Sequence, residues 1–333
     1  MMRGSIAKYT AAGTLVVAAC LLPHRTEAQS IASRVSQVRD GKVRMSFASR
    51  DDICGWNNGI STSASHDRNG RGSWNGGDRQ TDVEYDQDCS EGPVRVVLSL
   101  RDGKVSKIRS YVGGRWRLND ATDLGTVSTR DAVDYLLGVA NRDDGRGSGE
   151  AIFPVTLADS VDITSRLGAI AENESRSDDL RGQAIFWLGQ SRTEKSGDYL
   201  RQLFRKVRDE DVRDKIIFSI SQQNDDESQK WLVDLAGNAN ESIEIRKKAL
   251  FWAGQTGTPF YQLSAMYGRM REQEMKDQMI FVFSQRHEPA ALDKLMDIAK
   301  NDPDRDVRRK ALFWLGQSKD SRVSAFLSDI INR

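Results

Sequence analysis

Side-chain catalysis and metal binding draw on a short list of residue types, and this sequence is poor in the most reactive of them. It has three histidines and three cysteines in 333 residues. His24 and Cys20 fall in the first 28 residues, which leaves His66, His287, Cys54 and Cys89. Neither remaining histidine has a nearby cysteine or a second histidine at helical spacing, whereas a catalytic zinc needs three protein ligands and an open fourth position. A Gly-x-Ser-x-Gly turn that would raise a serine nucleophile is absent as well. No catalytic residue, resident metal or cofactor is therefore expected, and the chain is not expected to be an enzyme.

Carboxylates are the chemistry left over, because they are plentiful. In DVEYDQDC, Asp82, Glu84, Asp86 and Asp88 alternate with Val83, Tyr85 and Cys89, as on the two faces of a strand. A solvated outer face accounts for this spacing, and weak calcium binding is the alternative. The loop HDRNGRGSWNGGDRQ (66–80) is rich in Gly and Asn but lacks Gly-Lys-Ser/Thr. Arg71 stands where a calcium loop starting at Asp67 would need an oxygen ligand, so a surface loop is expected. An enzyme or a ligand- or calcium-binding protein working through this region is the alternative function.

The elements around these residues begin with a leader. Arg3 and Lys8 precede the apolar run AAGTLVVAACLL (11–22), and Thr26 and Ala28 are set for cleavage before Gln29, the layout of a secretory signal peptide over residues 1–28. Twelve apolar residues are too few for the ~20 that span a bilayer as a helix, so no transmembrane segment is expected and the mature chain should be periplasmic or secreted. Val17, Ala18, Ala19 and Cys20 also resemble a lipobox, which makes a lipid anchor at Cys20 the alternative. Losing Arg3, Lys8, Arg25 and Glu27 from 49 basic and 48 acidic residues leaves a nearly neutral chain. That balance gives no footing for nucleic acid, which needs clustered uncompensated Lys and Arg. In an oxidising compartment Cys54 and Cys89 are expected to pair.

Residues 29–126 read as a small antiparallel β domain stapled by that disulfide. VRVVLSL, RDGK and VSKIRSYV (94–112) form a hairpin pattern with Asp102 and Gly103 at the turn, and VRDGKVRMSF (38–47) repeats the turn chemistry at Asp40 and Gly41. The rest is helical and repetitive. LRGQAIFWLGQ from Leu180, VRDKIIFSISQ from Val212, IRKKALFWAGQ from Ile245, MKDQMIFVFSQ from Met275 and VRRKALFWLGQ from Val307 are offset by 32, 33, 30 and 32 residues. Ser177, Asp209, Ser242 and Asp304 stand as N-caps before four of them, with Glu272 before the other. A second amphipathic segment follows each copy, so each unit is a helical hairpin. Ala151, Ile152 and Phe153 start a degenerate capping unit (127–179) ahead of five repeats in 180–333.

On a helical wheel, Val307, Ala311, Leu312, Trp314 and Leu315 share the packing arc, and Trp187 and Trp252 are expected in the core with Trp314. Phe313 lies opposite, with Gln317 one turn above it. The pair recurs as Phe186 with Gln190, Phe218 with Gln222, Phe251 with Gln255 and Phe281 with Gln285. Either these ladders hold the stack in register, the glutamines bonding the turns between helices, or they face a bound partner. The basic column Arg181, Arg213, Arg246, Lys276 and Arg308 is expected to pair with carboxylates of adjacent repeats.

The motif, with Val307 and Arg308, then Ala311 and Leu312, then Gly316, resembles the short HEAT-like repeats of bacterial proteins, including those akin to phycobilisome-lyase repeats, over about residues 150–333. The whole chain resembles exported bacterial HEAT-repeat proteins in which a small disulfide-bearing β domain precedes the repeats. The resemblance implies a mainly α fold, a right-handed α-solenoid of helical hairpins, and a noncatalytic scaffold that holds a protein or peptide on its concave face; the lyase activity of the namesake is not expected to follow.

Overall fold

The computed structural model describes residues 29–51, 53–56, 59–61, 82–86, 89–142, 146–191, 194–223 and 225–331. The expected signal peptide with Cys20, the loop 66–80 with His66, and Asp88 lie outside the described residues. Among those described, no helix is long and apolar enough to cross a membrane.

The chain opens with α1 (Ile31–Ser36), then β1 (Gly41–Phe47), β2 (Cys54–Trp56), β3 (Gly59–Ser61), β4 (Val83–Glu84), β5 (Val94–Arg101), β6 (Lys104–Val112), β7 (Arg115–Trp116) and β8 (Thr122–Thr126). The main sheet has the order β6-β5-β1-β8. Val43, Met45 and Phe47 of β1 face Leu98, Val96 and Val94 of β5, and all six are buried. The β5–β6 hairpin turns on Asp102 and Gly103, both at positive φ, as the RDGK sequence requires. The earlier RDGK does not make a hairpin. It leads α1 into β1 and packs beside the first, where Asp40 Oδ1 accepts the Asp102 amide at 2.9 Å and the Arg39 carbonyl accepts that of Gly103 at 2.7 Å.

The sheet is not wholly antiparallel as expected. β1 and β8 pair in parallel, because a long excursion through the two small strand pairs brings the chain back beside β1 in the same direction, the crossover a parallel pair requires. Each sheet edge is met at one point by a side chain from a helix: Arg34 of α1 donates to the Leu124 carbonyl on β8 at 3.1 Å, and Glu150 accepts the Ile108 amide on β6 at 2.6 Å. Edge groups left open would template aggregation. The Cys54–Cys89 disulfide is formed and ties β2 to the segment leading into β5.

Helices follow throughout: α2 (Thr129–Arg142), α3 (Arg146–Glu150), α4 (Ile152–Thr156), α5 (Ile163–Glu172), α6 (Asp178–Gln190), α7 (Glu194–Lys206), α8 (Glu210–Ser221), α9 (Asp226–Gly237), α10 (Ile243–Gln255), α11 (Phe260–Tyr267), α12 (Gln273–Ser284), α13 (Pro289–Asn301), α14 (Arg305–Gly316) and α15 (Ser321–Ile331). The molecule is mainly helical with a small β region, consistent with a helical-repeat fold. Motif helices α6, α8, α10, α12 and α14 pack successively on one another, each also against the helix that precedes it. Ser177, Asp209, Ser242 and Asp304 each accept a first-turn amide, and Glu272 makes no side-chain cap, as their residue types dictate. One core runs from Ile31 through the sheet and the repeats to Val323. Main-chain bonds join the two regions, Arg50 to Leu157 at 2.9 Å and Asp159 to Ala48 at 3.1 Å.

The repeats alternate. The motif closes in Trp-x-Gly-Gln at α6, α10 and α14, while α8 and α12 carry Ser219 and Val282 at the tryptophan position. A Cβ on Gly189 would lie 2.8 Å from Ser219 Cβ, and one on Gly254 would lie 2.4 Å from Val282 Cγ1. The glycine of one repeat thus receives the small or branched side chain of the next, and the pair packs at close range. The structural unit is two repeats long.

Candidate functional site: an aromatic ribbon along the motif helices

Phe186, Phe218, Phe251 and Phe281 are half-buried and Phe313 is exposed, at 57% of its surface. They do not stand as a separate ladder. Trp187, Trp252 and Trp314, expected in the core, are only half-buried and complete a continuous line of rings with them. Phe153 stacks on Trp187 at 5.0 Å between centroids, and Phe186 lies edge-on to Trp187 and stacks on Phe218 at 6.3 Å. Phe218 meets Trp252 at 5.0 Å, and Phe251 lies edge-on to Trp252 and stacks on Phe281 at 6.2 Å. Phe281 meets Trp314 at 5.2 Å, and Trp314 is edge-on to Phe313. Nine rings are linked, each pair contributing about 0.5–1.5 kcal/mol beyond its buried area. The wheel failed for the tryptophans because it treats a helix as having one neighbour. In the stack, the side flanking the core meets the preceding repeat.

The motif glutamines sit at or beside the C-terminal ends of their helices. Among the described residues, none of their side chains bonds a turn between helices. Gln222 and Gln285 donate only to the adjacent Ser221 and Ser284 hydroxyls, each at 3.2 Å, and the side chains of Gln190, Gln255 and Gln317 bond to no described residue. The register bonds come from the next position in alternate repeats. Gln223 Nε2 reaches back to the Gly189 carbonyl at 2.7 Å, and Arg286 donates to the carbonyls of Gly254 at 3.2 Å and Thr258 at 3.1 Å, held by Glu288 at 2.8 Å. These satisfy the orphan carbonyls at a helix end. Sequence reasoning missed both residues, although the alternation of Ser191, Gln223, Thr256, Arg286 and Ser318 was a signal: only the long side chains reach the neighbouring repeat.

The basic column is structural. Arg213 pairs with Glu241 at 2.8 Å, Arg246 with Glu272 at 2.8 Å and Lys276 with Asp302 at 2.9 Å, each carboxylate lying just ahead of the next motif helix. Arg181 and Arg246 also donate to the Ala171 and Ala236 carbonyls at the ends of α5 and α9, each at 3.2 Å, where a cation is favoured by the helix dipole. Arg308 bonds the Asp302 carbonyl at 2.7 Å. Hydrogen bonding to Arg246 holds the Glu272 carboxyl down at about 2. Beside the ribbon, Lys248 pairs with Asp214 at 2.7 Å, and burial raises the Asp277 carboxyl against the opposing pull of Lys310.

In the β region, the expected solvated acidic face is contradicted at Asp82. Only 5% exposed, it lies between Lys42 at 2.7 Å and Arg109 at 3.3 Å and accepts the Tyr111 hydroxyl at 3.2 Å. A strand of two residues does not sustain alternation, so Asp82 and Val83 are both buried. Glu84 is exposed and Asp86 pairs with Arg115 at 2.8 Å. No cluster of three metal-ligating side chains occurs among the described residues.

No protein-family model matches the chain, and no curated protein matches it. Among solved structures it is similar, over 60% of its length and 79% of the other chain, to the complex of CpcE and CpcF of phycocyanin lyase from Nostoc sp. PCC7120, at 17% identity and a TM-score of 0.31. A de novo designed 16-helix transmembrane nanopore matches over 60% of this chain and 63% of its own, at 16% identity and a TM-score of 0.13. Similarity at this level says nothing of activity or partner.

Proposed function

We propose that this chain is a noncatalytic interaction scaffold acting outside the cytoplasm, which holds a peptide or an extended protein segment along the row of motif helices, the concave side of a right-handed solenoid. One observation carries the reading: a continuous aromatic ribbon keeps solvent-facing surface while the glutamine side chains beside it bond to no neighbouring repeat among the described residues. Rings offer apolar faces and free amides offer paired donors and acceptors, the two things an extended peptide needs from a groove. Packed helices lie about 8–10 Å apart and an extended chain rises about 3.3 Å per residue. Each repeat therefore matches roughly three residues of ligand, and five repeats match about 15. The Cys54–Cys89 disulfide supports an oxidising compartment, and the β region, sharing the core of the stack, serves as its N-terminal support.

The test compares Gln222→Ala/Gln255→Ala with Arg286→Ala in purified mature protein. The double variant should lose retention of an envelope protein or peptide in a pull-down while keeping its melting temperature. Arg286→Ala should lower the melting temperature, because it removes bonds to a neighbouring repeat. A double variant that melts early and still binds would overturn the proposal.

A further inference from the structure

Trp314 of the ribbon also lines a cleft of about 520 Å³ between the fourth and fifth repeats. Its floor is apolar, with Phe283 and Leu295 buried and Leu292 and Trp314 half-buried. The volume suits one or two residues of a ligand. It is open because Ser318 follows Gln317 here and is too short to reach back, whereas Gln223 and Arg286 at the corresponding positions of the even repeats do.

The lining carries Arg286, Lys319 and Arg322 against Glu288 and Asp320, and Arg322 is shared with Asp293 just outside the cleft at 2.8 Å. Both carboxylates are taken, Glu288 by Arg286 at 2.8 Å and Asp320 by Arg322 at 3.0 Å. Lys319, His287 and the Gln317 side chain line the mouth and bond to no described residue. The uncommitted groups are thus a cation, an imidazole and an amide over an apolar floor. We infer that this cleft captures the free C-terminal carboxylate of a peptide, with its last apolar side chain seated against Trp314 and Leu292. A terminus is favoured over an internal acidic side chain because a carboxylate and an apolar side chain on one residue match the mouth and the floor together. The inference rests on the scaffold reading for the rest of the ligand.

The probe is N-acetyl-leucine, titrated into ¹⁵N-labelled mature protein while the indole signal of Trp314, assigned with Trp314→Phe, is followed. N-acetyl-leucine should shift it saturably in the millimolar range, and N-acetyl-leucinamide should bind at least about tenfold more weakly, as loss of a charge-assisted bond implies. Lys319→Met should weaken N-acetyl-leucine about tenfold without altering the melting temperature, and Gln222→Ala/Gln255→Ala should leave it unchanged. Equal binding of the amide, no shift up to the solubility limit, or an unaltered affinity in Lys319→Met overturns the inference. An aspartyl-leucinamide probe that binds as well as N-acetyl-leucine overturns the assignment to a C-terminus. The two proposals fail separately: N-acetyl-leucine binding with an inert Gln222/Gln255 pair refutes the ribbon, and partner loss in the glutamine variant with no N-acetyl-leucine binding refutes the cleft.

Discussion

Adding one methyl group at the same motif position in two helices should change stability with opposite sign. Gly254 and Gly316 both follow the motif tryptophan by two residues, neither has positive φ, and both lie near the end of a motif helix. Replacing a helical glycine by alanine is worth up to about 1 kcal/mol in backbone entropy. At Gly316 nothing lies within 4 Å of the new Cβ, so Gly316→Ala should stabilise by about 0.5 kcal/mol, the gain being reduced at a helix end. At Gly254 the new Cβ would lie 2.4 Å from Val282 Cγ1 and 3.2 Å from Cγ2. Non-bonded carbons settle at about 3.5–4.0 Å, so α10 and α12 must part by roughly 1 Å, disturbing the Phe251–Phe281 stack. Overpacking of this kind costs about 3 kcal/mol at its upper end. The net effect of Gly254→Ala is then about 2 kcal/mol of destabilisation, once the helical gain is set against it. Urea unfolding followed by tryptophan fluorescence measures both, at equal m. In a Val282→Ala background the clashing atoms are gone, and Gly254→Ala should recover at least about 1.5 kcal/mol as coupling energy. If Gly254→Ala and Gly316→Ala move the midpoint in the same direction, the two-repeat packing argument is wrong.

Two further predictions concern the frame of the molecule. Cys54→Ser/Cys89→Ser opens a closure of 35 residues and should lower unfolding free energy by about 4 kcal/mol; a loss under about 1 kcal/mol in the same urea assay would show that the loop is held by other means. Glu272, held at about 2 against an ordinary 4.5 by its hydrogen bond from Arg246, contributes stability that is complete above the ordinary value and lost as pH falls toward the folded one. Glu272→Gln should therefore flatten the pH dependence of the melting temperature over that window, and an unchanged acid limb would remove this pair from the account.

The repeats were legible because each hairpin must bury one face on a neighbour, so Val212, Ile245 and Val307 recur with the same apolar spacing behind a capping residue. Cap chemistry is local, and Ser177, Asp209, Ser242 and Asp304 behave as their types dictate. The hairpin at Asp102 and Gly103 was legible for the same reason. The parallel pairing of β8 with β1 was not, because nothing local in Thr122–Thr126 marks the direction from which the strand returns. Burial of Asp82 was missed because its partners, Lys42 and Arg109, lie 40 and 27 residues away.

The sequence alone determined what one helix or one turn needs: where the helices begin, which positions are apolar, and that one hairpin is written five times. Tertiary structure decided what neighbouring copies do to each other. It joined phenylalanines and tryptophans from successive repeats into one ribbon, assigned the register bonds to Gln223 and Arg286, and left the side chains of Gln190, Gln255 and Gln317 without a bond to any described residue. The physical reason is range. Caps and turns are satisfied within a few residues, whereas a ring or an amide is buried or freed by a repeat some thirty positions away, whose own side-chain length settles the outcome.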